Sequence, residues 1–126
     1  MSIISRELLS EVLGIDVAKI IKEEYSNNVS IYERDFQYPV TYNASAYLTI
    51  NIHELAHKCK EWAYENGYHV NSLHRCANQT DWWESRVWKF EGGELGARCE
   101  KASTEPEAIF KSAQWILDNK ETECKH

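Results

Sequence analysis

Ile50-Asn51-Ile52-His53-Glu54-Leu55-Ala56-His57 decides how the middle of the chain folds. Asn51 is a good helix N-cap, because its side-chain oxygen can accept from the backbone N–H groups that open a helix. Glu54 stands three residues on and completes a capping box, and Ile50 and Leu55 are placed to form a hydrophobic staple across the cap. At about 100° per residue, Ile52, Leu55, Ala56, Cys59, Trp62 and Ala63 form one apolar stripe. His53, His57, Lys60, Glu61 and Tyr64 fall on the other side. The pattern predicts an amphipathic helix from residue 52 to about residue 66, stopped by Gly67 at C′.

The same residues also fit H-E-x-x-H. Two imidazoles one turn apart can hold Zn²⁺, and the Glu between them can deprotonate a metal-bound water. The string is similar to the metal helix of ImmA/IrrE-type zinc peptidases, over these five residues alone. That resemblance implies a small zinc hydrolase with His53 and His57 as ligands and Glu54 as base. A third protein ligand is then needed. The metzincin position holds Ala63, and the gluzincin pattern needs a Glu on a later helix, where this chain reads as strands. Glu84, beside a predicted strand, is the remaining candidate. Glu54 already has a capping role and both imidazoles lie on a solvated face, so the expectation is a structural helix with no metal and no cofactor. The zinc hydrolase is the alternative.

Outward from this helix, Ser5 to about Leu13 reads as a helix with Leu8, Leu9, Val12 and Leu13 apolar, ended by Gly14. Asp16 is placed to cap a second helical turn through Val17, Ile20 and Ile21. Val29 to Gln37 and Tyr47 to Ile50 read as strands, separated by Tyr38-Pro39. Three strands follow the central helix, at about Tyr68–Cys76, Glu84–Phe90 and Glu94–Cys99, with Gly92-Gly93 as a hairpin turn between the last two. Thr104 and Glu107 form a second capping box for a helix from Glu105 to about Asn119, with Ile109, Phe110, Ala113, Ile116 and Leu117 as its stripe. The predicted order is α-β-β-α-β-β-β-α. It describes one α+β domain over residues 1–120, an antiparallel sheet layered with helices as a sandwich, and a frayed polar tail at 121–126.

The chain has 126 residues, which suits one core. No apolar run approaches the roughly 18 residues of a membrane helix, and the N-terminus lacks the basic start and apolar stretch of a signal peptide. The expected location is the cytoplasm. Cys59, Cys76, Cys99 and Cys124 form no C-x-x-C and are expected as free thiols, with Cys59 and Cys99 in the core. His74 and Cys76 with Cys99 form part of a metal-ligand pattern, but strand residues without metal are the favoured reading. The net charge of −6 opposes nonspecific binding to nucleic acid or anionic membrane and is compatible with a basic protein partner.

Arg6-Glu7-Leu8-Leu9-Ser10-Glu11-Val12-Leu13-Gly14 opens the chain, and Ser103-Thr104-Glu105-Pro106-Glu107-Ala108-Ile109-Phe110 leads into the last helix. With the central Leu55…Trp62…Gly67-Tyr68 helix, they resemble small phage- and prophage-encoded proteins of the phage ABA-sandwich type. The resemblance implies a sheet between helical layers and a home in a bacterial host, but no catalytic residue. Residues 52–118 also follow the element order of a double-stranded-RNA-binding domain. Such domains meet phosphates with lysines at the start of the final helix, where this chain has Glu105 and Glu107. The remaining functional lead is Trp82-Trp83. Adjacent residues of a strand point to opposite faces, so one indole is expected to face away from the core as a partner-binding anchor. The leading expectation is a non-enzymatic accessory protein acting by protein–protein binding. A zinc hydrolase and a nucleic-acid-binding module are the alternatives, and partner and oligomeric state stay open.

Overall fold

The computed structural model describes residues 4–22, 26–34, 48–89 and 98–123. The elements are α1 (Arg6–Leu13), β1 (Val17–Lys22), β2 (Asn28–Glu33), β3 (Leu48–Asn51), α2 (Ile52–Glu65), β4 (Tyr68–Ala77), β5 (Thr80–Lys89), β6 (Arg98–Ala102) and α3 (Glu105–Glu123). The fold is mixed α+β, with two three-stranded antiparallel sheets in the orders β1-β2-β3 and β4-β5-β6. The chain divides into two compact units, Met1–Leu55 and Ala56–His126.

In the first unit, Ser5 caps α1. Its Oγ accepts from the Leu8 N–H at 3.1 Å, and Gly14 closes the helix in the left-handed region at φ 70° while its N–H donates to the Ser10 carbonyl. Leu8 and Leu9 are buried. The second helical turn expected after Asp16 is not formed; Val17–Lys22 is a strand. Two effects favour the strand. Val17, Ile20 and Ile21 are β-branched, which suits a pleated surface. β2 also offers a ladder running from Val17↔Glu33 to Lys22↔Val29, and the Arg34 N–H donates to the Asp16 carbonyl at 2.7 Å. Val29 and Ile31 are fully buried, as the alternation of β2 predicts, whereas Glu33 of the same predicted face is exposed. The continuation expected to Gln37 and the Tyr38-Pro39 break lie outside the described residues. β3 pairs with β2 and leads directly into α2, where Asn51 Oδ1 accepts from the His53 N–H at 2.8 Å.

The whole predicted stripe of α2 is buried, and the helix ends at Gly67 with φ 86°. Burial pushes the Cys59 thiol up to about 12, which keeps it protonated and inert.

In the second unit, β4 and β5 pair without a break from Tyr68↔Lys89 to Ala77↔Thr80. The strand predicted to start at Glu84 therefore begins four residues earlier. Asn78 and Gln79, at φ 51° and 66°, make a two-residue turn with both residues left-handed, the geometry that matches strand twist. β6 adds along β5 from Val87↔Arg98 to Trp83↔Ala102. The Gly92-Gly93 hairpin, Phe90, Leu95 and Ala97 lie outside the described residues.

α3 lies across this sheet, and three contacts fix which face it covers. Ser112 donates to Ser85 Oγ at 2.7 Å, Ser72 donates to Glu105 Oε2 at 2.6 Å, and the Tyr68 ring meets Trp115 edge-on. Thr104 caps α3, with its Oγ1 accepting from the Glu107 N–H. The predicted stripe of Ile109, Phe110, Ala113, Ile116 and Leu117 is buried. Cys99, expected in the core, is exposed instead, because its register opposite Arg86 places it on the face away from α3.

Ser85 and Ser112 are fully buried hydroxyls satisfied by each other. Ser85→Ala or Ser112→Ala alone strands the partner and should cost about 1–3 kcal/mol, while the double variant should recover much of that loss; urea unfolding of the four proteins checks this. Gln79 occupies a left-handed position that favours glycine, so Gln79→Gly should stabilise by about 0.5–1 kcal/mol in the same assay.

Candidate functional site

The β4–β5 register sorts side chains into two faces, since successive residues of a strand alternate. Tyr68, Val70, Ser72, Ser85 and Val87 share the face that α3 covers. His69, Leu73, Arg75, Trp82, Glu84, Arg86 and Trp88 therefore share the opposite face, joined from β6 by Cys99 and Lys101. Leu73 is 43% exposed there.

Glu84 is the centre of this face. Its carboxylate is buried among its neighbours, although it faces away from α3. The Trp82 indole N–H donates to Oε1 at 3.1 Å. Arg75 Nε lies 3.4 Å and Arg86 Nη2 3.8 Å from Oε2. The Trp82 hydrogen bond, followed by the charges of Arg75 and Arg86, holds the Glu84 carboxyl below the ordinary carboxylate range against the opposing effect of burial. Lys101 Nζ stands 5.5 Å from the Trp82 ring centre, within cation–π range. Trp82 thus contacts both Glu84 and Lys101, both guanidinium groups lie beside the Glu84 carboxylate, and on the same face the Trp88 ring packs on His69 with ring centres 5.1 Å apart.

Trp82 and Trp83 point to opposite faces, as the strand reading requires, and both are half-buried. Trp82 belongs to the open face. Trp83 stacks on His74 across the ladder at 4.8 Å, and His74 Nε2 lies 3.4 Å from Asp81. A two-stranded ribbon alone is marginal, so these contacts brace the hairpin where the pairing with β6 ends.

The two histidines and the glutamate of the H-E-x-x-H string lie on the exposed side of α2, while Leu55 and Ala56 between them are buried. His53, Glu54 and His57 are all exposed, and His57 Nε2 is 3.2 Å from Glu61, one turn further on. Glu84, the third ligand of the zinc alternative, has its carboxylate engaged by Trp82, Arg75 and Arg86. Among the described residues no three or more His, Cys, Asp and Glu side chains gather closely enough to hold a metal ion. Cys76 and His74 share the α3 side of the ladder and Cys99 the other, so the sheet separates that pattern too. Lys60, expected on the solvated face of α2, is half-buried and donates to Ser72 Oγ, the hydroxyl that in turn donates to Glu105. This chain of polar contacts ties α2, β4 and the first turn of α3 together. Among the described residues, no helix is long and apolar enough to cross a membrane.

Sequence reasoning named Glu84 for a different task and did not single out Arg75, Arg86 or Lys101. The available signal was the i, i+2, i+4 run Trp82-Glu84-Arg86, which becomes visible once the strand is started at Thr80.

No protein-family profile, no curated protein and no solved structure matches this chain.

A carboxylate whose folded value is lowered stabilises the fold above its unfolded value, about 4.3, and that contribution is lost as pH falls through the folded value. Glu84→Gln should therefore be less stable than the parent at neutral pH, and the gap should close progressively below about pH 4. Urea midpoints measured from neutral to acid pH check this. A gap independent of pH would show that the charge of Glu84 does not matter.

Proposed function

We propose that this chain is a non-enzymatic accessory protein of phage or prophage type, which acts by binding another protein through the open face of the β4-β5-β6 sheet. The observation that carries the reading is the fixed Trp82–Glu84–Arg75–Arg86 cluster beside an exposed Leu73. Trp and Arg dominate binding energy at protein interfaces, and they do so best when their side chains are immobilised before the partner arrives. Glu84 supplies that immobilisation. The phage-type origin and the bacterial host rest on the resemblance of the two terminal helices and the central helix alone.

Replacing Leu73 with a photo-reactive benzophenone residue tests this in the cells that make the protein. Light should convert a fraction of the chain to one discrete, heavier cross-linked species. The same group at His57, exposed on α2, should give none. Trp82→Ala combined with the Leu73 probe should reduce the adduct about tenfold, the loss of one interface anchor. Equal labelling from both positions, or none from Leu73, contradicts the proposal. A stoichiometric zinc in the native mass of the untagged protein, lost in His57→Ala, would favour the hydrolase instead.

A further inference from the structure

We infer that the partner presents an acidic segment, with carboxylates that seat between Arg75, Arg86 and Lys101; this rests on the binding reading above. Among the described residues the open face holds three cations, Arg75, Arg86 and Lys101, against the single carboxylate of Glu84, a local balance of +2 on a chain whose net charge is −6. The cationic character is local and built. Both guanidinium groups lean on one carboxylate, each through one nitrogen and at long range, 3.4 and 3.8 Å. A guanidinium has five N–H donors in a planar fork that matches a carboxylate edge. Arg75 and Arg86 remain nearly half exposed, at 46% and 43%, so one internal anion orients the forks without enclosing them. Lys101, exposed beside the Trp82 ring, adds a third positive group on the same face.

Charge selects among occupants. A second copy meeting this face symmetrically would set Arg75, Arg86 and Lys101 against themselves, because a two-fold interface repeats the same patch. A nucleic-acid strand brings a continuous row of phosphates. Its evenly spaced charges would run on past the three cations into the field of an acidic chain, with nothing on this face to neutralise them among the described residues. Lys101 also covers part of the Trp82 ring on which a base would stack. A short acidic segment of a protein needs only a few carboxylates, and its apolar side chains can meet Leu73 and Trp82.

Titration of ¹⁵N-labelled full-length protein with a hexaglutamate peptide tests this, with hexalysine and deca-thymidylate as comparisons. Hexaglutamate should shift the Trp82 indole N–H and the Arg75 Nε–H resonances, while hexalysine leaves them in place. Lys101→Glu should weaken the effect about tenfold, and raising salt from about 20 to 200 mM should weaken it further. Arg86→Glu should do the same, and Lys101→Glu keeps the test valid if that variant does not fold. Unmoved resonances at millimolar hexaglutamate overturn the inference, and so does a stronger response to deca-thymidylate. If hexaglutamate fails while the Leu73 adduct still forms, the acidic class is wrong and the binding reading stands; if both fail, both are wrong.

Discussion

Ten consecutive cross-strand pairs join β4 to β5, and the character of the second unit follows from their register. Because strand side chains alternate, one ladder fixes two surfaces at once. One receives α3 through Ser72, Ser85, Val70 and Val87. The other is left with Trp82, Glu84 and Arg86 in sequence along β5, with Arg75 and Leu73 opposite. A slip of one residue would place Glu84 under α3 and turn Ser85 and Val87 outward. The register is therefore held by the core, and the composition of the open face follows from it.

The open face is unusual in keeping a nearly buried carboxylate on the side away from the helix. Burial disfavours a charged carboxylate, and three neighbours offset that cost: an indole N–H and two guanidinium groups. Surface ion pairs of this kind add little to stability. Their larger effect is geometric. The arginine side chains are oriented towards one carboxylate before any partner is met, which lowers the ordering cost of association. The His74–Trp83 stack and the His74–Asp81 pair do similar work at the end of the hairpin.

The H-E-x-x-H string of α2 shows how a catalytic pattern and a capping pattern can coincide. A capping box asks for a carboxylate three residues after the cap, and a metal helix asks for one between two histidines. Glu54 satisfies both spacings. The cap is formed by Asn51 on the His53 N–H, the apolar stripe of the helix is buried, and the histidines fall on its exposed side.

Local rules read directly from the residues account for the caps at Ser5, Asn51 and Thr104, the stops at Gly14 and Gly67, and the buried stripes of α2 and α3. Each depends on neighbours within one or two turns, so the sequence by itself determined them. Tertiary structure decided the rest. Val17–Lys22 became a strand because β2 was there to pair with it, and β5 began at Thr80 because Tyr68–Ala77 could be matched residue for residue across a tight turn. Cys99 moved out of the core because its partner in the register was Arg86. Glu84 acquired its role because Arg75, nine positions away in sequence, came to lie beside it. Pairing between distant segments selects which face a strand residue occupies, and a single strand read alone does not contain that choice.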